Sequence, residues 1–240
     1  AWIEIDTSGA IEDVFVLPGT EEDSVYYCVK RTINGQDKRY LEKWAKESAC
    51  IGETLNKQAD SFVTFTNSPA STTVSGLSHL IGRDVVVWQD GVCPEDSSGN
   101  PKLFTVSSTG TITLDTAALT GIVGLQYWSE FKSGKLPYAA SLGTALGQRQ
   151  RISKIALMLV NAHARGLRYG SDFNDMSNLP LVVEGRAINT DEIHVGLELE
   201  AVTFPGESSV GARLCLEGLA PRPVTITAAI IGIATHDTAP

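Results

Sequence analysis

Apolar and polar residues alternate over short stretches through most of this chain. A period of two puts every second side chain on one face, which is the pattern of β-strands. Within residues 1–47 it predicts three or four strands, at 2–6, 11–17, 25–33 and 38–44, separated by Gly9, Pro18-Gly19 and Asn34-Gly35. Asn34-Gly35 suits a two-residue hairpin turn, because both residues tolerate the positive φ that matches strand twist.

Further along, Phe62-Val63-Thr64-Phe65-Thr66 alternates, a turn leads into Val85-Val86-Val87-Trp88, and residues 104–114 read as a hairpin. Residues 93–102, with Pro94, Asp96, Gly99, Asn100 and Pro101, read as an exposed loop. One stretch is ambiguous: Ile152, Ile155, Ala156, Leu159, Val160, His163 and Leu167 also fall on a helical face. Gly166 and Gly170 would break such a helix, so strands are expected there. Strands are also expected at 193–199, 209–216 and 224–234. The fold class predicted is all-β.

The 240 residues suffice for one large or two small domains. With 42% hydrophobic and 20% charged residues, the balance is that of a globular chain, not a disordered one. A formal net charge of −9 argues against a protein built to grip nucleic acid. It suits a conduit that DNA slides through, but an ordinary mildly acidic soluble protein is the leading reading. The charge is uneven, however. Lys132, Lys135, Arg149, Arg151, Lys154, Arg165 and Arg168 form a band of seven basic residues with no acid between 131 and 170. Such a band can face DNA phosphates, meet an acidic patch on another copy, or stand solvated. Contact between copies is the leading reading. Only Phe131, Tyr138 and Tyr169 accompany it, too few aromatics for base stacking.

Cys28, Cys50, Cys93 and Cys215 show no zinc-ribbon spacing and sit in or beside apolar strand patterns, so reduced thiols are expected. His79, His163, His194 and His236 are scattered. The most apolar run, 224–234, has about half the length a bilayer span needs, and its Thr alternation marks a strand. No membrane segment, metal or cofactor is expected. Residues 1–7 already read as a strand in need of partners, and the chain lacks an initiator Met, so a longer or trimmed polypeptide is expected.

Motifs with chemistry fare poorly. Asp172-Phe173-Asn174-Asp175-Met176 starts like a calcium loop, but Ser177 and Val183 stand where Gly and Glu are required. Asp96-Ser97-Ser98-Gly99-Asn100 is too short. Gly143-Thr144-Ala145-Leu146-Gly147 lacks the Lys-Ser/Thr of a phosphate loop. Glu198 and Glu200 share a strand face and read as solvated rather than as a glycosidase pair. No catalytic residue is nominated.

The wording of several strands resembles a known family. Val29-Lys30-Arg31-Thr32-Ile33-Asn34-Gly35 followed by Arg39-Tyr40 and Glu42-Lys43 resembles the last propeller blade of bacteriophage tail nozzle proteins, the tail tubular protein B family. Gly76-Leu77-Ser78-His79-Leu80-Ile81-Gly82-Arg83-Asp84, running on to Trp88-Gln89-Asp90-Gly91, resembles the small FCCH-like barrel of those proteins. Residues 119–138, with Gly121 to Phe131 and Leu136-Pro137, resemble the segment that leaves this barrel, and the family uses strands where 148–170 is ambiguous. Gly211-Ala212-Arg213-Leu214-Cys215-Leu216 and Ala220-Pro221-Arg222-Pro223-Val224 resemble its closing strand pair. The pieces occur in family order over nearly the whole chain.

The resemblance implies three parts: one blade at the end of a propeller (1–47), a small β-sandwich or barrel (48–118) and a β-rich closing domain (119–240). It implies a structural virion protein of the tail, not an enzyme, made in the host cytoplasm. The partners implied are identical copies in a hexameric ring, the head-to-tail adaptor, other tail or fibre proteins, and DNA in transit during genome ejection. One blade cannot bury both faces alone, and further blades are expected upstream. The alternative is a β-sandwich that binds cell-surface glycans, with Trp88, Tyr127 and Trp128 stacking on sugars. A hydrolase using Glu198 and Glu200 ranks last.

Overall fold

The computed structural model describes residues 4–20, 22–46, 50, 56–136, 139–140, 143–144, 149–183, 185–206 and 208–235. Apart from one 3-10 turn at Ser78–Leu80, its elements are strands, so the chain is all-β. No helix among the described residues is long and apolar enough to cross a membrane. Contacts divide the chain into two compact units, Ala1–Tyr127 and Trp128–Pro240. The divisions expected from sequence lay at 47 and 118.

The first unit opens with an antiparallel sheet of β1 (Ala10–Leu17), β2 (Ser24–Ile33) and β3 (Gln36–Lys43), with β2 in the middle. Asn34 and Gly35 take φ of 51° and 73°, and Ile33 faces Gln36, so the predicted hairpin turn forms. The sheet has three strands among the described residues. Residues 4–6 carry no strand, and 1–3 lie outside the described residues. Thr7 is instead tied by a side-chain bond to Arg31 and by a lone bridge to Gly9.

Next come β4 (Asp60–Val74), β5 (Asp84–Gln89), β6 (Phe104–Thr105) and β7 (Ile112–Leu125), in sheet order β4-β7-β5-β6. The two long strands bend through register breaks near Thr66 and Ser71 and curl around a core that includes Phe65, Leu77, Leu80, Val85, Val87, Phe104 and Val123. The barrel expectation is corrected here. Among the described residues β6 pairs only with β5, and β4 only with β7, so the sheet stays open. At two residues, β6 is too short to bridge the gap. The hairpin expected over 104–114 is also corrected. Ser107 and Thr111 do close a turn, but its arms pair elsewhere, Phe104 with Val85 and Ile112 with Val74.

The second unit contains β8 (Trp128–Lys132), β9 (Ala139–Ala140), β10 (Gly143–Thr144), β11 (Gln150–His163), β12 (Leu167–Asp172), β13 (Asp175–Asn178), β14 (Val182–Val183), β15 (Arg186–Ala187), β16 (Ile193–Thr203), β17 (Cys215–Leu219) and β18 (Thr225–Thr235). The sheets β16-β11-β18 and β13-β12-β17-β8 enclose one core, built from Ile152, Ile155, Leu157 and Leu159 on one side and Leu167, Tyr169 and Leu216 on the other. The ambiguous stretch is therefore strand, broken at Gly166, whose N–H closes a turn on the His163 carbonyl. The strand expected at 209–216 begins only at Cys215. Ahead of it, Ser209 exchanges backbone bonds with Gln150, and Ser133 holds Leu214 and Arg213, which takes those residues out of a ladder.

Candidate functional site

Side-chain parity on β2 sorts the three-stranded sheet into two faces. Tyr27, Val29, Arg31 and Ile33 point one way, and Tyr26, Cys28, Lys30 and Thr32 the other. Register places Val14 beside Tyr27 and Val16 beside Val25 on the first face. It places Phe15 beside Tyr26, Leu17 beside Ser24 and Leu41 beside Cys28 on the second. At this end of the sheet both faces are apolar and open: Val14 is 55% exposed on the first, and Leu41 is 66% exposed on the second. Phe15 stacks on Tyr26 with centroids 5.2 Å apart, and the Lys43 ammonium lies 5.7 Å from the Tyr26 ring. An antiparallel sheet ordinarily packs one face and solvates the other.

The far end of the second face is polar. Lys30 pairs with Asp37 at 2.8 Å and Arg39 with Glu12 at 2.6 Å. Bonds from Lys30 and Thr32 hold the Asp37 carboxyl below its usual range, and the Arg39 guanidinium does the same for Glu12. On the first face the same end is a buried ionic cluster. The Arg31 guanidinium pairs with Glu42 and donates to the Thr7 hydroxyl at 2.8 Å and the Ser61 hydroxyl at 3.4 Å. Burial pushes the nearby Asp60 carboxyl up, and burial together with the Glu42 and Asp60 charges pushes the Tyr27 phenol up to about 12. These groups face one another, so the cluster ties β2 and β3 to the start of β4.

The basic band is divided by the second unit's two sheets. Arg168 lies between the core residues Leu167 and Tyr169 and so points away from the core. Its Nε donates to Glu217 at 2.7 Å, and its guanidinium lies 5.2 Å over the Trp128 ring. Lys132, on the same face, pairs with Asp172 at 3.2 Å and lies 5.7 Å from the Phe173 ring. Arg151 and Lys154 adjoin Ile152 and Ile155 on β11 and point outward from the opposite sheet. Arg149 and Lys135 are exposed outside the strands, and Arg165 is half-buried in the turn between β11 and β12. The structure thus puts Lys132 and Arg168 on one sheet and Arg151 and Lys154 on the other.

Motifs read from sequence resolve as local scaffolding. Asp172 accepts the Asn174 side-chain amide at 2.7 Å and its backbone N–H at 3.2 Å, and these bonds with Lys132 hold its carboxyl below the usual range. Asp96 accepts the N–H groups of Ser98 and Asn100 and staples its loop. Glu198 and Glu200 are exposed beside the buried Leu197 and Leu199. No group of metal-ligating side chains occurs among the described residues. No disulfide joins the four cysteines. Gly143 and Thr144 form β10, and residues 145–148 of the glycine-rich stretch lie outside the described residues, as does His236. Trp88 is fully buried, whereas Trp128 is exposed.

Sequence reasoning missed the Arg31 cluster, although Arg31 shares parity with Val29 and Ile33, a visible signal that it is buried. It also passed over Met158 and Ile230, which are exposed apolar residues on one outer face.

No family model matches the chain, and no curated protein matches it in sequence.

Proposed function

We propose that the chain is a structural component of a phage tail, of the nozzle type its strand motifs resemble, and that its work is mechanical. In this reading it packs beside identical copies in a ring, adjoins adaptor and fibre proteins, and helps enclose the path DNA takes on ejection. One observation carries the reading: the sheet β1-β2-β3 presents open apolar side chains on both faces at the same end. Large exposed apolar patches mark surfaces that partners cover. A blade between two neighbours needs such a pair of faces, and a free-standing catalyst gains nothing from it. The divided basic band fits contacts between proteins better than one continuous DNA track.

The glycan-binding alternative is weaker. Trp88 is enclosed in the protein, and one face of Trp128 already carries the Arg168 guanidinium. The test is negative-stain imaging of the protein expressed from its complete reading frame. Rings or short cylinders are expected, and a monodisperse monomer at every concentration would sink the reading.

A further inference from the structure

The outer face of the sheet β16-β11-β18 has an apolar centre, with basic residues at one end of it and acidic residues along the β16 edge. Met158 and Ile230 point outward there at 43% and 60% exposure. Their register neighbours on this face are Ala228 and Ala156, so the centre is low and flat. Toward the start of β11 stand Lys154 and Arg151, and the Lys154 stem lies over Gly232. Along the neighbouring strand β16, Glu198 sits directly beside Met158, and Glu200 lies one step nearer the level of Lys154, which faces Thr203.

Some exposed charges elsewhere are paired, Lys132 with Asp172 and Lys102 with Asp115. No ion pair among the described residues involves Arg151, Lys154, Glu198 or Glu200.

We infer that this face docks a second copy of the chain, with Arg151 and Lys154 of one copy meeting Glu198 and Glu200 of the other around Met158 and Ile230. The inference rests on the tail reading's premise that copies adjoin, and it names the face. Charge complementarity selects the occupant. A nucleic acid would meet Glu198 and Glu200 beside the apolar centre and be repelled. A second copy carries the complement of each flank, which orients the encounter although the chain's net charge of −9 makes copies repel overall. Because the basic and acidic flanks are different patches, docking can be heterologous and close into a ring.

Two charge reversals test this, R151E/K154E and E198K/E200K, with sedimentation of the complete chain as readout and circular dichroism confirming the fold. Wild type is expected to associate, each reversal to weaken association by about tenfold or more, and an equimolar mixture of the two variants to recover it. I230S, which adds no charge, is expected to weaken association of the wild type and of the mixture that recovers it. The inference is overturned if wild type stays monomeric, or if each reversal associates like wild type. In the second case, rings still seen in the microscope would leave the tail reading standing with a different face.

Discussion

Arg31 grips the Glu42 carboxylate with both terminal nitrogens, and its side chain is wholly shut off from water. The Nη2–Oε2 bond is 3.1 Å, and the same nitrogen also donates to Thr7 at 2.8 Å. Burying two charges costs more than their attraction returns unless the remaining hydrogen-bonding sites are filled, and removing one partner strands the other. Arg31→Met is therefore expected to destabilise the first unit by about 3–5 kcal/mol. The double variant Arg31→Met/Glu42→Leu is expected to recover most of that loss. Urea denaturation reads both, and an unchanged midpoint for Arg31→Met would refute the role given to the pair.

Gly121 sits where β7 passes Trp88 and Phe65. A Cβ there would overlap the Trp88 carbonyl oxygen and lie 2.7 Å from the Phe65 ring. The carbonyl belongs to the sheet and cannot step aside without breaking the ladder. Gly121→Ala is expected to cost about 1–3 kcal/mol from overpacking. The paired variant Gly121→Ala/Phe65→Leu is expected to recover only part of it, because the backbone clash remains. Full recovery would assign the whole effect to the ring.

Much of the fold was legible because alternation and turn residues work locally. Asn34-Gly35 fixed a hairpin, and Gly166 decided strand over helix for 150–163. What escaped depends on distant partners. Phe104 and Ile112 flank a turn, yet each pairs with a strand earlier in the chain, and no local pattern records that choice. The basic band failed to stay together for a related reason. Residues adjacent in sequence were dealt to two sheets, and the acids that pair with Lys132 and Arg168 come from the end of β12 and from β17.

His163 offers a pH test. Burial, with the Arg222 and Arg165 charges, pushes its imidazole down to about 3 from an ordinary 6.5. Its Nδ1 accepts the Arg165 N–H at 3.1 Å, so the neutral ring carries its proton on Nε2. Between those two values the unfolded chain holds a proton that the folded chain lacks. Stability is then full above about 6.5 and falls as pH drops through this window, by at most about 1.4 kcal/mol per pH unit. His163→Asn keeps an acceptor near Nδ1 and has nothing to titrate. Its stability, measured in urea at pH 7, 6 and 5, is expected to fall less steeply than wild type. Parallel curves would show that His163 protonates equally in both states.

The two open faces of β1-β2-β3 can be tested separately. Leu17→Lys/Leu41→Lys alters one face and Val14→Lys/Val16→Lys the other. All four residues are at least half exposed, so each pair is expected to shift the stability of the isolated chain by no more than about 0.5 kcal/mol per site. Binding of a hydrophobic dye should fall in both variants. If the sheet is a blade held between two neighbours, each pair alone abolishes assembly of the full-length protein. If only one pair does so, the sheet ends a stack and its other face stays in water. If neither has an effect, the apolar ends of this sheet play no part in assembly, and the observation that carries the tail reading is lost.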